Sequence, residues 1–503
     1  MRTLYGACVA SRRALRRIVL ALLGTAAFAA MPLAGAKATV STVQAPSITT
    51  RALDAPASIA QSASASPQWN PAPASAAAAS AAAVTPVRRA DQVDGSAAPT
   101  SSEAAQVARG RYLATLADCA ACHTDPATRQ PFSGGSPLNS PFGKIYASNI
   151  TPDRDTGIGR YSLQDFSRAL REGVAPGGKN LYPAMPYASF AKISDQDIAA
   201  LYAFFMRGVA PVSHRPPPTR LPFPFNQRWG LFFWRKLFAN HERFEPDSAR
   251  GAEWNRGAYL VQGLGHCGAC HTPRGPVFEE RGYDESSAHY LTGFTNDNWY
   301  APNLRGAANA GLGRWSEQDI VSFLKTGRGH ETVAYGAMGP AVEESLQYLS
   351  DTDAHAIARY LKSLPARADS GDYAPRKPTR DGVAHGVQGS VPELPGAGLY
   401  ANFCARCHQA DGGGVSGRYP RLAGSSMVLG PDASSMVRLV LEGGHSPKID
   451  GGPPMVAMPA FGAQLDDGQI AAVLSFVRNS WGNRAAGVTP RTVRKMRQAL
   501  AKP

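Results

Sequence analysis

The chain has 503 residues and a formal net charge of +14, and six of its seven cysteines fall in three short motifs. This use of cysteine leaves none for an iron–sulfur cluster. The positive charge could serve nucleic acid, anionic lipid or an acidic protein partner, and the export signal described next argues against nucleic acid.

Residues 1–36 are predicted to be a secretory signal peptide. An apolar run from Ile18 to about Ala30 is followed by small residues at 34–36, and it is preceded by Arg2, Arg12, Arg13, Arg16 and Arg17. This order predicts cleavage after Ala36 or a few residues earlier. An uncleaved membrane anchor is the alternative, but the run is shorter than the roughly 18 to 20 residues that span a bilayer. We therefore expect a periplasmic protein, soluble or peripheral to the outer face of a bacterial inner membrane.

Residues 37–104 are dominated by Ala, Ser, Pro, Thr and Gln and contain almost no aromatic side chain. Such a segment cannot bury enough apolar surface to offset the entropy of ordering it. We expect a disordered tether. The remaining chain of about 400 residues is long enough for three domains of roughly 100 to 130 residues.

The remaining chain contains one unit three times. We call these units repeat 1 (105–211), repeat 2 (251–366) and repeat 3 (392–482). Other segments complete the chain: an aromatic connector (212–250), a linker (367–391) and a basic tail (483–503). The spacing of three similar motifs, CAACH at 119–123, CGACH at 267–271 and CARCH at 404–408, sets this division.

The similarity between the repeats extends beyond the cysteines. A short helical pattern with Gly and Tyr at matching places precedes each motif: GRYLATLADC from Gly110, GAYLVQGLGHC from Gly257 and GLYANFC from Gly398. After the motifs, YASNI in repeat 1 matches YAPNL in repeat 2, and repeat 3, which is shorter in this region, has YPRLAG from Tyr419. These matches indicate a true internal repeat.

The second half of each repeat is also predicted to be helical. A helix should begin after Ser162 in repeat 1 and after Ser316 in repeat 2, because an aspartate three residues later completes a capping box. The closing amphipathic helix of each repeat follows a capping residue, namely Ser194, Ser350 and Asp466. The pattern predicts an all-α fold of three tandem domains.

The C-x-x-C-H motif indicates covalent attachment of haem. Two thiols three positions apart can form thioether bonds to the two vinyl groups of one haem, and the adjacent histidine can bind the iron. A zinc site usually takes four ligands from pairs that lie close together, whereas these pairs are more than a hundred residues apart. A thioredoxin-like motif would need a βαβ setting, and chance does not account for three copies. The attachment residues are Cys119, Cys122, Cys267, Cys270, Cys404 and Cys407, and the iron ligands are His123, His271 and His408.

The second axial ligand of each iron is predicted to be methionine, the usual partner of histidine in electron-carrying cytochromes c. Met338 is the only methionine between Met206 and Met427, so a methionine ligand in repeat 2 must be this residue. Its counterparts are Met185 and Met458. All three precede the closing helix and follow loops rich in Gly or Pro.

Other residues compete for this role. Met455 is the alternative in repeat 3, and His330 and His445 would serve a site with two histidine ligands. Met206 and Met436 lie within helical patterns and are predicted to fill the core.

As a set, these motifs resemble the three-haem cytochrome c subunit of bacterial membrane-bound dehydrogenases, found with quinoprotein alcohol dehydrogenases and with flavin-linked gluconate or sorbitol dehydrogenases. LYPAMPYASF, WNRGAYLVQGLGHCGACHTPR and IAAVLSFVRNSWGN carry the resemblance, which runs almost from Ala104 to Asn483. It implies three tandem class I cytochrome c-like domains with three covalently bound haem c groups. It also implies a periplasmic carrier that passes electrons from a dehydrogenase catalytic subunit to ubiquinone or a terminal oxidase. Related subunits serve molybdenum hydroxylases that oxidise aldehydes or N-heterocycles, and the long tether departs from the family pattern.

The sequence contains no recognisable motif for a substrate-oxidising cofactor. It has no GxGxxG after a strand, no P-loop and no segment that suggests a site for pyrroloquinoline quinone, flavin or molybdopterin. We therefore expect outer-sphere electron transfer rather than oxidation of substrate by the chain itself. A haem peroxidase or thiosulfate-oxidising protein would need one haem without its methionine. A structural or storage multihaem protein is the remaining alternative.

The segment LPFPFNQRWGLFFWRKLF at 221–238 lies outside the repeats and combines two Trp and five Phe with three basic residues. Such a stretch suits a membrane interface or a docking face. A connector packed between two domains is the alternative, because aromatic residues commonly fill interdomain cores.

Overall fold

The computed structural model describes residues 101–330, 332–375 and 395–501. The predicted signal peptide, nearly all of the predicted tether and most of the predicted linker lie outside these ranges. The described residues belong to one compact unit. Most of its regular structure is helical, which confirms the all-α prediction.

In chain order the helices are α1 (Ser101–Leu116), α2 (Cys119–His123), α3 (Leu163–Glu172), α4 (Tyr187–Phe190), α5 (Asp195–Ala203), α6 (Gly230–Phe238), α7 (Ala252–Tyr259), α8 (Gly268–His271), α9 (Glu317–Thr326), α10 (Met338–Glu344), α11 (Asp351–Ser363), α12 (Ala397–Phe403), α13 (Ala405–His408), α14 (Ser426–Leu429), α15 (Ser434–Glu442), α16 (Asp467–Asn479) and α17 (Pro490–Leu500). Helices α5 and α7 each continue into a π-helical turn, at Phe204–Gly208 and Leu260–Leu264.

The strands are two or three residues long and pair only as antiparallel two-stranded ribbons within the described ranges. The ribbons are β1 (Pro137–Leu138) with β2 (Ile145–Tyr146), β3 (Val174–Ala175) with β4 (Lys179–Asn180), β5 (Phe294–Asn296) with β6 (Trp299–Ala301), β7 (Arg328–Gly329) with β8 (Thr332–Val333), β9 (Asp372–Tyr373) with β12 (Asn483–Arg484), and β10 (Gly444–His445) with β11 (Ala457–Met458).

The capping residues predicted from the sequence begin the helices of repeats 1 and 2. Ser162 accepts a hydrogen bond from the backbone N–H of Asp165 and completes a capping box before α3, and Ser316 does the same before α9. Both helices end at a glycine with a left-handed backbone, Gly173 or Gly327. The predicted caps of the closing helices α5, α11 and α16 are also present.

In repeats 1 and 2 the first helix crosses the closing helix at a glycine. A Cβ atom on Gly110 would lie 1.9 Å from the carbonyl oxygen of Ala200, and one on Gly257 would lie 1.9 Å from that of Ala356. Only glycine permits so close an approach. The matching glycine of repeat 3, Gly398, has nothing within 4 Å of an added Cβ. Gly398 therefore does not make the close contact with the closing helix that Gly110 and Gly257 make.

The buried apolar residues form one large core shared by repeats 1 and 2, a second core in repeat 3, and a small cluster of Tyr187, Ala188 and Ala239. Helix α17 belongs to the second core, because Val493 and Met496 are buried in it. The segment predicted to be a basic tail therefore contributes to the packing of repeat 3.

Candidate haem sites

Each C-x-x-C-H motif forms a short helix soon after the first helix of its repeat: α2, α8 and α13. In repeats 1 and 2 the turn before the motif includes a residue with a left-handed backbone, Asp118 with φ 51° and His266 with φ 36°. Asp and His tolerate this region better than most residues. The turn redirects the chain so that a new helix can begin at the motif.

The six described cysteines are free. Burial is the largest cause that raises the pKa of the first thiol of each motif, to about 12 for Cys119 and Cys267 and to about 11 for Cys404. These thiols are therefore protonated at neutral pH when nothing is bound to them.

The three motif histidines are oriented in the same way. The Nδ1 atom of His123 lies 2.6 Å from the carbonyl oxygen of Ser148, that of His271 lies 2.7 Å from Pro302 O, and that of His408 lies 2.8 Å from Pro420 O. A carbonyl can only accept, so Nδ1 carries the proton and Nε2 keeps the lone pair that a metal ion requires.

Burial also keeps these imidazoles neutral. It lowers the pKa of His123, His271 and His408, although a hydrogen bond to a backbone carbonyl opposes the shift in each case. Each ring is therefore unprotonated on Nε2 at pH 7. The three repeats thus contain equivalent candidate ligands for an iron.

The carbonyl acceptors of these bonds were not identified from the sequence, although the loops that contain them were. Ser148 lies in YASNI, Pro302 in YAPNL and Pro420 in YPRLAG. The similar loop after each motif is the sequence signal that indicates these carbonyl acceptors, because an imidazole ligand needs an acceptor for its second nitrogen.

Two buried asparagines hold these loops in repeats 1 and 2. Asn149 directly follows Ser148, accepts from Thr151 N at 2.9 Å and donates to Val212 O at 2.8 Å. Asn303 follows Pro302 in the same way, accepts from Arg305 N at 2.8 Å and donates to Arg367 O at 2.6 Å. Each amide therefore ties the loop that orients the histidine to the chain that follows the closing helix.

The three candidate methionines lie between the middle helix and the closing helix of their repeats, but in different local structures. Met185 lies in the loop before α4, Met338 is the first residue of α10, and Met458 lies in β11 opposite Gly444. All three are half-buried. Met185 and Met458 pack against the cores of their repeats.

The alternatives to these methionines have other surroundings. Met455 is 54% exposed. The ring of His330 stacks on Trp315, and its Nδ1 lies 3.6 Å from Asp319 Oδ2. His445 contacts the carbonyl of Ser446 through Nδ1 at 3.0 Å. Both histidines are thus engaged with neighbouring protein groups, as expected of polar loop residues.

Buried polar groups in repeats 1 and 2 also fit a cofactor that bears carboxylates. The indole N–H of Trp315 and the hydroxyl groups of Tyr187 and Tyr290 are buried and have no hydrogen-bond partner among the described residues. A buried donor without a partner is costly, and haem propionates are acceptors. The donor set, the free thiols and the oriented imidazoles together fit haem.

The motifs of repeats 1 and 2 approach each other. His266 Nε2 lies 3.3 Å from the carbonyl oxygen of Ala117, which joins the segments just before the two motifs. Burial, then the charges of Asp118 and Cys270, raise the pKa of Cys122 to about 11. Helix α10, which begins at Met338, packs beside α2.

Repeats 1 and 2 are joined by a reciprocal set of hydrogen bonds. Tyr112 donates to Asp353 Oδ2 at 2.7 Å, and Tyr259 donates to Asp197 Oδ2 at 2.6 Å. Each carboxylate also pairs with an arginine of its own repeat, Arg256 with Asp353 at 2.7 Å and Arg109 with Asp197 at 2.8 Å. In repeat 3 the matching tyrosine donates instead within its own repeat, from Tyr400 to Gln409 O at 2.6 Å.

Repeat 3 packs on repeat 2 through different groups. Ser435 Oγ accepts from Tyr300 N at 2.8 Å, Arg314 donates to Gly424 O at 2.5 Å, and Tyr348 donates to Asp450 Oδ2 at 2.8 Å. A cleft of about 580 Å³ remains between the two repeats and reaches Pro420, the acceptor for His408. The third motif therefore lies near the contact with repeat 2.

Within the described ranges, no helix combines the length and the apolar character that crossing a bilayer requires.

The Cytochrome c family model matches residues 255–365 and 394–481. The chain is 47% identical to the gluconate 2-dehydrogenase cytochrome c subunit of Pantoea cypripedii, over 78% of this chain and 90% of that protein. It is 45% identical to the alcohol dehydrogenase (quinone) cytochrome c subunit of Gluconacetobacter polyoxogenes, over 80% of this chain and 86% of that protein.

A further relative, from Pseudomonas putida, is larger than this chain. This nicotinate dehydrogenase subunit is 39% identical over 75% of this chain, which corresponds to 30% of its own length. The relatives from Pantoea and Gluconacetobacter match over most of their length, and the family model that matches this chain implies covalently bound haem c. The chain belongs to the family of cytochrome c subunits of dehydrogenase complexes.

Proposed function

We propose that the chain is a periplasmic carrier with three haem c groups, which takes electrons from a dehydrogenase catalytic subunit and passes them to ubiquinone or a terminal oxidase. The observation that carries the proposal is the common geometry of the three motifs. In each, a buried or half-buried histidine donates from Nδ1 to a carbonyl oxygen and keeps Nε2 for a metal.

The residues proposed to hold each haem follow from the repeats. The six motif cysteines form the thioether bonds, and His123, His271 and His408 bind iron through Nε2. Met185, Met338 and Met458 are the proposed second ligands. Bound haem supplies reversible one-electron oxidation and reduction. Two protein ligands leave an iron no position for oxygen or peroxide, which argues against the peroxidase alternative.

The chain's own part in this function is to orient ligands, exclude water and bring the sites together. The contact between His266 and Ala117 holds the motifs of repeats 1 and 2 against each other, and the contacts of Ser435 and Arg314 hold repeat 3 on repeat 2. Bringing the proposed sites together within one compact unit suits stepwise electron transfer between them.

The catalytic partner and the acceptor are proposed from the relatives. One relative serves gluconate 2-dehydrogenase, and another serves an alcohol dehydrogenase whose name specifies a quinone. Since no substrate-oxidising cofactor motif was found in the sequence, substrate chemistry is assigned to the partner.

Reduction of the purified chain tests this division of labour. The chain alone should lack alcohol, sugar-acid and aldehyde dehydrogenase activity. Together with the catalytic subunit that co-purifies with it, the chain should show the absorbance change of reduced haem when the partner's substrate is added. Oxidation of substrate by the isolated chain would contradict the proposal.

The second candidate is a cytochrome subunit of a molybdenum hydroxylase that oxidises aldehydes or N-heterocycles. The match to the nicotinate dehydrogenase subunit favours it. Metal and cofactor analysis of the co-purifying subunit separates the candidates: molybdenum supports this one, and flavin or pyrroloquinoline quinone supports the first.

A further inference from the structure

The connector between repeats 1 and 2 exposes a cluster of aromatic side chains. Five of the nine large hydrophobic residues exposed in the described ranges lie within residues 223–233: Phe223 at 78%, Trp229 at 67%, Phe233 at 56%, Phe232 at 44% and Phe225 at 43%. Single exposed apolar residues are common, but a contiguous patch marks an interaction site. We call this cluster the aromatic face.

Helix α6 shows that the aromatic face is directed outward. Trp229, Phe232, Phe233 and Lys236 follow the spacing of one helical face, and their side chains are exposed. The opposite face is already occupied, because Trp234 donates to Val277 O at 2.8 Å and Phe238 is buried. The connector therefore packs between the repeats on its inner side and leaves its outer side for a partner.

The chain segment that carries the aromatic face has charge of one sign. The chain has no Asp or Glu from residue 198 to residue 241, and within that stretch it has six basic residues, Arg207, Arg215, Arg220, Arg228, Arg235 and Lys236. Arg215, Arg220 and Lys236 are exposed. Long basic side chains can extend beside buried aromatic rings toward anionic groups. The partner should therefore offer an apolar layer to the aromatic rings and anionic groups to the basic side chains.

We propose that the aromatic face binds the surface of an anionic lipid bilayer. The side chains of Phe223, Phe225, Phe232 and Phe233 offer no hydrogen-bonding group, so they suit a partner that presents hydrocarbon. The mixture of Trp, Phe and basic residues suits the interfacial layer of a membrane. Helix α6 has nine residues and a length of about 14 Å, so it lies in the interface rather than across the bilayer.

Binding in this way would bring both repeats near the membrane, because the inner side of α6 contacts Val277 of repeat 2 as well as repeat 1. Trp234, on that inner side, and Met185 pack against one small cluster that includes Tyr187. The proposed second iron ligand of repeat 1 therefore belongs to the cluster on the inner side of α6. This consequence rests on the proposed function, but binding to lipid does not.

Sedimentation of the purified mature chain with vesicles tests the proposal. We expect the chain to bind vesicles of phosphatidylglycerol and phosphatidylethanolamine much better than vesicles of phosphatidylcholine alone. The triple variant Trp229→Ser, Phe232→Ser, Phe233→Ser should bind the anionic vesicles at least about tenfold more weakly than the wild type. The reason is that it lacks three aromatic rings that the bilayer would bury. The double variant Leu163→Ser, Val415→Ser alters exposed apolar residues elsewhere and should bind like the wild type.

Several outcomes would overturn the proposal. One is a wild-type chain that fails to bind anionic vesicles, and another is a triple variant that binds them as well as the wild type while its haem spectrum and unfolding temperature are unchanged. Loss of the catalytic subunit from the triple variant without any change in lipid binding would assign the face to a protein. No substrate is used, so failure here leaves the electron-transfer proposal intact.

Discussion

The hydroxyl group of Tyr112 lies 2.7 Å from Oδ2 of Asp353, across the contact between repeats 1 and 2. The same bond occurs in the opposite direction, since Tyr259 lies 2.6 Å from Oδ2 of Asp197. The backbone N–H groups of Ser350 and Ser194 in turn donate to the two hydroxyl groups, each at 3.2 Å. Equivalent residues of two repeats thus form one approximately twofold contact beside the first two motifs.

Removing one hydroxyl of this contact should destabilise the chain. Tyr259→Phe deletes a buried bond to a carboxylate, and such bonds contribute about 1.5–3 kcal/mol. Urea unfolding followed by circular dichroism would measure the loss. Tyr182→Phe is a control, because the Tyr182 hydroxyl donates to Phe225 O in an exposed setting and its loss should cost little. Equal stability of the two variants would contradict a structural role for the reciprocal contact.

The Asp353 carboxylate should make the stability of the chain depend on pH. Burial alone would raise the pKa of Asp353, but hydrogen bonds from Arg256 and Tyr112 and the positive charge of Arg256 outweigh burial, so the pKa lies below its ordinary value. A carboxyl with a lowered folded-state pKa stabilises the fold above its unfolded-state pKa of about 4, and that contribution is lost as pH falls through the lower folded-state pKa.

Asp353→Asn should therefore lower the free energy of unfolding at pH 7 and reduce its fall below about pH 4. Urea unfolding across this range would show the effect. The control is Asp155→Asn, since Asp155 forms an exposed pair with Arg160 and such pairs contribute little. If wild type and Asp353→Asn lost stability in parallel on acidification, the assignment to Asp353 would be wrong.

The helix crossings predict different effects of the same change at matching glycines. Gly257→Ala would put a Cβ 1.9 Å from Ala356 O and should cost about 1–3 kcal/mol or more. Gly398→Ala meets nothing within 4 Å and should be neutral or slightly stabilising. Thermal unfolding of both variants would test this. A Gly398→Ala variant as unstable as Gly257→Ala would contradict the open space beside Gly398.

Met338→Leu should remove the second iron ligand of repeat 2 and little else. Leu preserves most of the side-chain volume, so the fold should survive. Loss of the thioether should lower the potential of that haem or make its iron high-spin, while haem content is unchanged. Met436→Leu changes a buried core methionine and should leave spectrum and potentials as they are. An unchanged spectrum in Met338→Leu would point to another ligand, such as His330.

The sequence predicts the parts of this fold that depend on local pattern. The motifs, the capping residues Ser162 and Ser316 and the closing helices follow from short-range spacing, and the structure contains the predicted helices and caps. The sequence of the aromatic connector allows two interpretations, because its pattern does not say which side faces the repeats. In the structure the side that carries Trp234 faces them, since its indole donates to Val277 O of repeat 2.

Long-range contacts could not be predicted in this way. Gly398 matches Gly110 and Gly257 in sequence but has no close neighbour. In repeat 3 the close approach to the closing helix lies instead at Gly396, where an added Cβ would be 2.3 Å from Ala472 O. Tyr400 likewise matches Tyr112 and Tyr259, yet it donates within its own repeat. A single sequence shows that residues recur, but the partner of each copy is set by the tertiary structure.

Haem stoichiometry tests the central proposal most directly. The pyridine haemochrome spectrum of the purified mature chain, together with its intact mass, measures covalent haem per chain. We predict three, and two for the variant Cys267→Ala, Cys270→Ala, which loses both attachment residues of repeat 2. A value of one or two for the wild-type chain would contradict the assignment of a haem to each C-x-x-C-H motif.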